Sequence, residues 1–217
     1  MLNKTSFTYK TSGRNSSKVV SVLAVMLAVG SVAVDRLCGE QQACRWLPIA
    51  GFEDPSMASH TGVYVNSVYR YKVSIPAGLI GHSSPPPAPN HGFGILLGQR
   101  GDGYIWVDGS WNSLEYESSE KAAHEGMEFL EDRGTAISRS KMNPWKLGGF
   151  QATRLTVWYR CPDSPDVFVT EQLFALNQDK SMIWVVGLDT KQSRYEKDFR
   201  VFESILKSWE YNPLPPK

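Results

Sequence analysis

Few residues in this chain carry recognisable chemistry. Cysteine occurs three times, at Cys38, Cys44 and Cys161, an odd number that permits at most one internal disulfide. Nothing matches a nucleophile elbow, a metal pair or the spacing of a catalytic triad. A hydrolase is therefore the weakest of the function classes, although a triad assembled only in space leaves no such trace. Positive charge is not concentrated either. The formal net charge is +1, and residues 1–33 hold Lys4, Lys10, Arg14 and Lys18 with no acid, which leaves the remainder at −3. Without a basic stripe the chain lacks what nucleic-acid phosphates require. No apolar run quite reaches the roughly 20 residues of a full membrane span.

The nearest to such a run is Val19–Val34, uncharged and apolar, preceded by a basic, Ser- and Thr-rich start and containing the small residues Ser31, Val32 and Ala33 near its end. That is the pattern of a secretory signal peptide over residues 1–33; the alternative is an uncleaved N-terminal anchor, and a membrane would be a partner only in that form. Export would place the cysteines in an oxidising compartment. Cys38 with Cys44 would close a short loop, whereas either one with Cys161 would staple the N-terminal segment to the end of a core strand, the longer and more stabilising closure. A thiol nucleophile at Cys161 would need an adjacent base, and no histidine lies near it in sequence.

What is present reads best from Leu147 to Trp209. Ala152–Cys161 alternates, with Leu155, Val157, Tyr159 and Cys161 on one face and Arg154, Thr156, Trp158 and Arg160 on the other. Val167–Leu176 is rich in β-branched and aromatic residues, and Ser181–Leu188 is apolar on both faces, as a strand covered on both sides should be. A helix follows in which Tyr195, Phe199, Phe202, Ile205, Leu206 and Trp209 form one stripe. Ser193 and Glu196 have capping-box spacing, and Pro213, Pro215 and Pro216 mark a proline-rich tail over 211–217.

Upstream, Gly62–Ser67 and Tyr69–Ile75 predict one bent strand or two short ones, with Tyr69, Tyr71, Val73 and Ile75 sharing a face. Ala77–Gly92 reads as a stiff proline loop flanked by His82 and His91. Loops of this length inside a domain often carry function, but two histidines without matched Cys, Asp or Glu spacing read as surface residues rather than metal ligands. Phe93–Gly98 and Tyr104–Asp108 predict a hairpin turning at Asp102-Gly103. Its glycines lack the GK[ST] of a phosphate loop, and the triplet Arg100-Gly101-Asp102 is too short to signal adhesion. Tyr104, Trp106, Trp111 and Tyr116 make an aromatic cluster beside Asp108 and Glu115, suited to stacking on a sugar or peptide, or to packing, with Trp106 under a helix. Ser118–Arg133 predicts a second helix, lined by Ala122, Ala123, Gly126, Met127 and Leu130, with Glu120, Glu125, Glu128, Glu131 and Asp132 solvated and Gly134 as its stop. Thr135–Lys141 predicts a short edge strand, leading through Asn143-Pro144-Trp145 to the next.

The segments YRYKVSIP, LGGFQATRLTVWY, SMIWVVGL and RYEKDFRVFESILKSW, in that order over about residues 69–209, resemble the PsbP-like and DcrB-like α/β/α sandwich group. The resemblance implies an α+β single domain with a mostly antiparallel sheet over 62–210, preceded by an extension at 34–61. Members of the group are mostly non-enzymatic and bind other proteins, so no catalytic residue is carried over. The expectation is an exported, periplasmic or secreted binding protein acting on another envelope or secreted protein, as an immunity, adaptor or assembly factor, with no cofactor and no metal. The surface expected to bind is His82, His91, Phe93, Tyr104, Trp106, Trp111 and Tyr116, since loops on a rigid sheet commonly carry recognition. The competing class is a carbohydrate or small-molecule binder using the same aromatics.

Overall fold

A computed structural model describes residues 57–83, 91–98, 102–132, 136–161 and 164–212. The elements, in chain order, are β1 (Ala58–His60), β2 (Gly62–Asn66), β3 (Tyr71–Ile75), β4 (Gly81–Ser83), β5 (Gly92–Leu97), β6 (Gly103–Trp111), α1 (Ser119–Asp132), β7 (Ala136–Leu147), β8 (Phe150–Arg160), β9 (Val167–Leu176), β10 (Met182–Lys191), α2 (Tyr195–Ser208) and β11 (Glu210–Tyr211). Eight strands form one sheet in the order β1-β4-β5-β6-β10-β9-β8-β7, and three form a second in the order β11-β3-β2. Every strand pair among the described residues is antiparallel. The chain is thus an α+β protein with a layer on each face of its main sheet.

Strand periodicity builds both layers. Along β10, Trp184, Val186 and Leu188 point to one face, here the front, while Ile183 and Val185 point to the back. On the front they join Phe93, Ile95, Ile105, Val107 and Leu173 beneath Phe202, Ile205 and Trp209 of the α2 end, with Tyr71, Val73 and Ile75 of the small sheet alongside. On the back, Leu155, Val157, Tyr159 and Phe174 pack against Ala122, Ala123 and Leu130 of α1. Burying a side chain such as Phe202 or Ile205 contributes about 1.5–3 kcal/mol. The front core centres on Trp184, which has no exposed surface. Its indole N–H donates to the Tyr69 carbonyl at 2.8 Å, and Phe150 and Trp209 lie at ring distances of 5.0 and 5.3 Å. Gly148 closes the β7–β8 turn at φ +55, where an added Cβ would sit 2.2 Å from the Trp209 ring; both the left-handed backbone and the ring demand glycine there.

Several expectations need correction. The edge strand does not stop at Lys141 but runs to Leu147, with Pro144 paired opposite Thr153. An edge strand has one side on which a missing N–H costs no ladder bond, so proline is tolerated there. The capping box does not form. A 3-10 turn over Gln192–Arg194 precedes α2, whose N-cap, Arg194, makes no side-chain cap bond. The start of α2 is held instead by Asp198, which receives Arg194 at 3.1 Å and the Thr190 hydroxyl at 2.6 Å. The span Ala77–Gly92 is not all loop, since Gly81–Ser83 pairs with β1 and β5. Glu125 is not merely solvated; it accepts the Tyr116 hydroxyl at 3.1 Å. The main sheet also begins at β1, ahead of residue 62. The expected leader, Cys38, Cys44, most of the proline run, Gly134 and most of the proline-rich tail lie outside the described residues. No helix among the described residues is long and apolar enough to cross a membrane.

Candidate functional site

At one end of the main sheet a short turn, the start of β5 and the end of β6 meet. Asn66 forms the turn by accepting the backbone N–H groups of Val68 (3.1 Å) and Tyr69 (2.9 Å) on its Oδ1, an Asx turn. The His91 carbonyl accepts from the Gly109 N–H at 2.9 Å, from the Tyr71 hydroxyl at 2.9 Å and from Asn66 Nδ2 at 3.3 Å. Its ring Nδ1 lies 2.9 Å from the Gly109 carbonyl, which only accepts, so that nitrogen carries the proton. The imidazole stacks on Tyr69 with centroids 5.0 Å apart and planes at 16°. Trp111 meets Tyr69 edge-on at 6.0 Å. It is 52% exposed, and Val68 beside Tyr69 is 55% exposed. Two exposed apolar side chains, Trp111 and Val68, thus flank a hydrogen-bonded base.

Behind Trp111, on the back face, lies a shallow cleft. Its floor is Phe174, Ile183 and Val185, and its walls include Asp108, Leu114 and Tyr116. Asn112 clamps the wall: Nδ2 donates to the carbonyls of Tyr116 (3.0 Å) and Lys180 (2.9 Å), and Oδ1 accepts the Tyr116 N–H at 2.9 Å. The Tyr116 hydroxyl is held well above its usual pKa, first by burial and then by the Glu125 carboxylate. Burial also pushes the Asp108 carboxyl up to about 7, against the opposing pull of the Gly109 N–H. A carboxyl that changes charge near neutrality inside an aromatic cleft marks a candidate binding site.

The residues singled out from the sequence do not all converge here. His91, Trp111 and Tyr116 do. Phe93 is 4% exposed and belongs to the front core, and Tyr104 and Trp106 are 8% and 9% exposed, so these three side chains form supporting structure rather than open surface. Tyr104 and Trp106 stack at 5.6 Å, and Trp106 lies flat over Gly187, where a Cβ would come within 2.0 Å of its ring. His82 sits on β4, opposite Gly94. His60 hydrogen-bonds Ser83 Oγ at 2.7 Å, and its pKa is lowered by burial and by neighbouring His82. Among the described residues no group of three or more His, Cys, Asp and Glu side chains could hold a metal ion. Cys161 is buried at the end of β8. The carboxylate of Asp102 is engaged by Arg194 at 3.3 Å and by Lys191 at 3.7 Å, which ties the hairpin turn to the sheet. Val68 and Tyr69 went unnoticed in the sequence as site residues. The only local sign of them was the strand break between Asn66 and Arg70.

No family model matches the chain, and no curated protein matches it. Among solved structures, its architecture is similar to the PsbP protein CyanoP of Synechocystis, with 15% identity, 74% of this chain and 95% of that one covered, and a TM-score of 0.48. It is similar also to the Saccharomyces cerevisiae Ran-binding protein Mog1p, with 12% identity, coverage of 72% and 96%, and a TM-score of 0.48. LpqN of Mycobacterium tuberculosis, involved in cell envelope biogenesis, matches with 11% identity, coverage of 75% and 88%, and a TM-score of 0.41. The likeness is one of fold. What this chain binds has to be argued from its own residues.

Proposed function

We propose that the chain is an exported, non-catalytic binding protein, that its partner is another envelope or secreted protein, and that Trp111 with Val68 is the anchor it presents. The carrying observation is the exposure of Trp111 on the fixed Tyr69–His91 stack. Rigid aromatic anchors surrounded by apolar contacts dominate binding energy at protein interfaces. A side chain held in place before binding also loses little entropy when it binds. Export rests on the leader pattern over residues 1–33. Buried Cys161 is the position from which a disulfide to Cys38 or Cys44 would tie the N-terminal segment to the sheet in an oxidising compartment.

The test is an affinity capture of the tagged mature chain from its own envelope extract, run beside the double substitution Trp111→Ala, Val68→Asp. Both side chains are exposed, so the variant keeps the thermal midpoint of the parent to within a few degrees. The expected result is one stoichiometric protein partner that the variant loses. A partner captured equally by the variant refutes the anchor. The partner's identity decides among immunity, adaptor and assembly roles. The second reading, a sugar or small molecule in the cleft between Trp111 and Asp108, is favoured by the polar wall residues there. It predicts no captured protein and a tryptophan fluorescence change on adding a glycan.

A further inference from the structure

The opposite end of the main sheet carries a different surface. β7 is its terminal strand, and register places Arg139 opposite Trp158, Lys141 opposite Thr156, Asn143 opposite Arg154 and Trp145 opposite Ala152. Residues directly opposite share a face, so these side chains lie together on the front. Arg160 continues the row on β8, opposite Val167 of β9. The Arg139 guanidinium lies 3.7 Å from the centre of the Trp158 ring, and that of Arg154 lies 5.3 Å from Trp145. An open cavity of about 310 Å³ is bounded by Ser138, Arg139, Trp158, Arg160, Val167 and Gln192.

The acids near this face are already committed. Glu171 has no exposed surface. It accepts Arg154 at 2.7 and 2.9 Å, the Thr156 hydroxyl at 2.9 Å and the Tyr195 hydroxyl. Asp166 is paired with Lys191 at 3.1 Å. Arg160 donates to the Pro165 carbonyl at 3.2 Å. Among the described residues no carboxylate pairs with Arg139, Lys141 or Arg160, and all three are exposed. An edge strand is often blunted with lysine and proline against aggregation, and Lys141 and Pro144 serve that purpose. Edge protection does not account for Arg139 lying over a tryptophan of the second strand, nor for Arg160 on that strand. In a chain whose residues after 33 sum to −3, an unpaired basic row interleaved with two tryptophans is the exception.

We propose that the front face of β7 and β8 docks an acidic, extended segment of a partner protein. Its carboxylates are taken by Arg139, Lys141 and Arg160, and its carbon chains lie against Trp158 and Trp145. Charge complementarity selects the acid. The extended form is selected by geometry: alternate side chains on β7 recur every 6–7 Å or so, the repeat of alternate side chains on a neighbouring strand. The outer edge of β7, unpaired among the described residues, offers main-chain groups to such a segment. This goes beyond the Trp111 anchor and stands or falls separately from it.

The experiment is fluorescence anisotropy with the full mature chain and a labelled ten-residue peptide alternating glutamate and threonine. Its glutamine counterpart and a heparin hexasaccharide are run beside it. The glutamate peptide is expected to bind, to weaken as salt rises, and to lose about tenfold or more in affinity with Arg139→Glu, Arg160→Glu. The milder Arg139→Gln, Arg160→Gln pair is expected to lose less, with an unchanged thermal midpoint in both variants. Lys121→Glu, the same charge reversal on exposed α1, is expected to leave binding as it was. Equal binding of the glutamine peptide, retention by both arginine variants, or an equal loss with Lys121→Glu would each overturn the proposal. Binding of heparin without the peptide would overturn it in favour of an anionic polysaccharide.

Discussion

Replacing Asp108 by asparagine removes an ionisation that the back-face cleft disfavours. In the unfolded chain this carboxyl gives up its proton near 3.8, and in the folded chain near 7. Between those values the folded state binds more protons than the unfolded one. The contribution of Asp108 to stability is therefore whole below about pH 4, falls as pH rises through 7, and stays lost above it. At about 1.4 kcal/mol per pH unit the full gap corresponds to about 4 kcal/mol. Asp108 is only half-buried, so water reaching the carboxylate as it forms reduces this, to roughly 2 kcal/mol. The asparagine side chain would keep an oxygen for the Gly109 N–H and cannot ionise. We expect Asp108→Asn to lie within about 0.5 kcal/mol of the parent near pH 4.5 and to be more stable by up to about 2 kcal/mol at pH 8, an increase of roughly 4–8 °C in melting temperature. Urea titrations followed by tryptophan fluorescence at pH 4.5, 6 and 8 measure this directly. Parallel pH profiles for parent and variant would refute the reasoning, because they would mean that water reaches the carboxyl freely and the cleft does not disfavour its charge.

Two further substitutions test the packing around the candidate site. Gly187→Ala places a methyl group 2.0 Å from the Trp106 ring, and the forced shift of the Tyr104–Trp106 pair should cost about 3 kcal/mol, read as a lower urea midpoint at unchanged slope. Glu171→Gln leaves the Arg154 guanidinium beside an uncharged amide in the front core, and a loss of about 3 kcal/mol is expected in the same titration; a loss below about 1 kcal/mol would show that water already screens this pair.

The elements easiest to foresee were those whose neighbours are uniform. Ala152–Cys161 alternates because its back face packs against α1 while its front carries Arg154, Thr156, Trp158 and Arg160. Val167–Leu176 is rich in β-branched and aromatic residues because β9 is buried along nearly its whole length, and Ser181–Leu188 is apolar on both sides because its front residues lie in the core with α2 and its back residues in the second core. The misjudged elements are those whose environment is set from outside. Pro144 looks like a break until β7 is known to be the terminal strand. Ser193 and Glu196 have the right spacing for a cap, but Asp198, Thr190 and Arg194 hold the helix start by contacts from β10 and the turn before α2. Gly81–Ser83 is too short to stand out from a proline-rich stretch.

The binding surfaces were harder to foresee for a related reason. Phe93, Tyr104, Trp106 and Trp111 are one aromatic series in the sequence, and alternation separates their faces without saying which face is covered. Three turn out to be buried and one is open. The basic row shows the same limit more sharply. Arg154, Trp158 and Arg160 share a face in any alternation of β8, yet no local run of Lys and Arg announces a patch. The patch exists only because register sets Arg139 and Lys141 of β7 against Trp158 and Thr156, and that register runs unbroken from the turn at Gly148-Gly149, shifting only beyond Arg139 at the bulge before it. A slip of one residue in the register set by that turn would send Lys141 to the back face and break the row. The acidic-peptide affinity should therefore depend on the Gly148-Gly149 turn as well as on the charges.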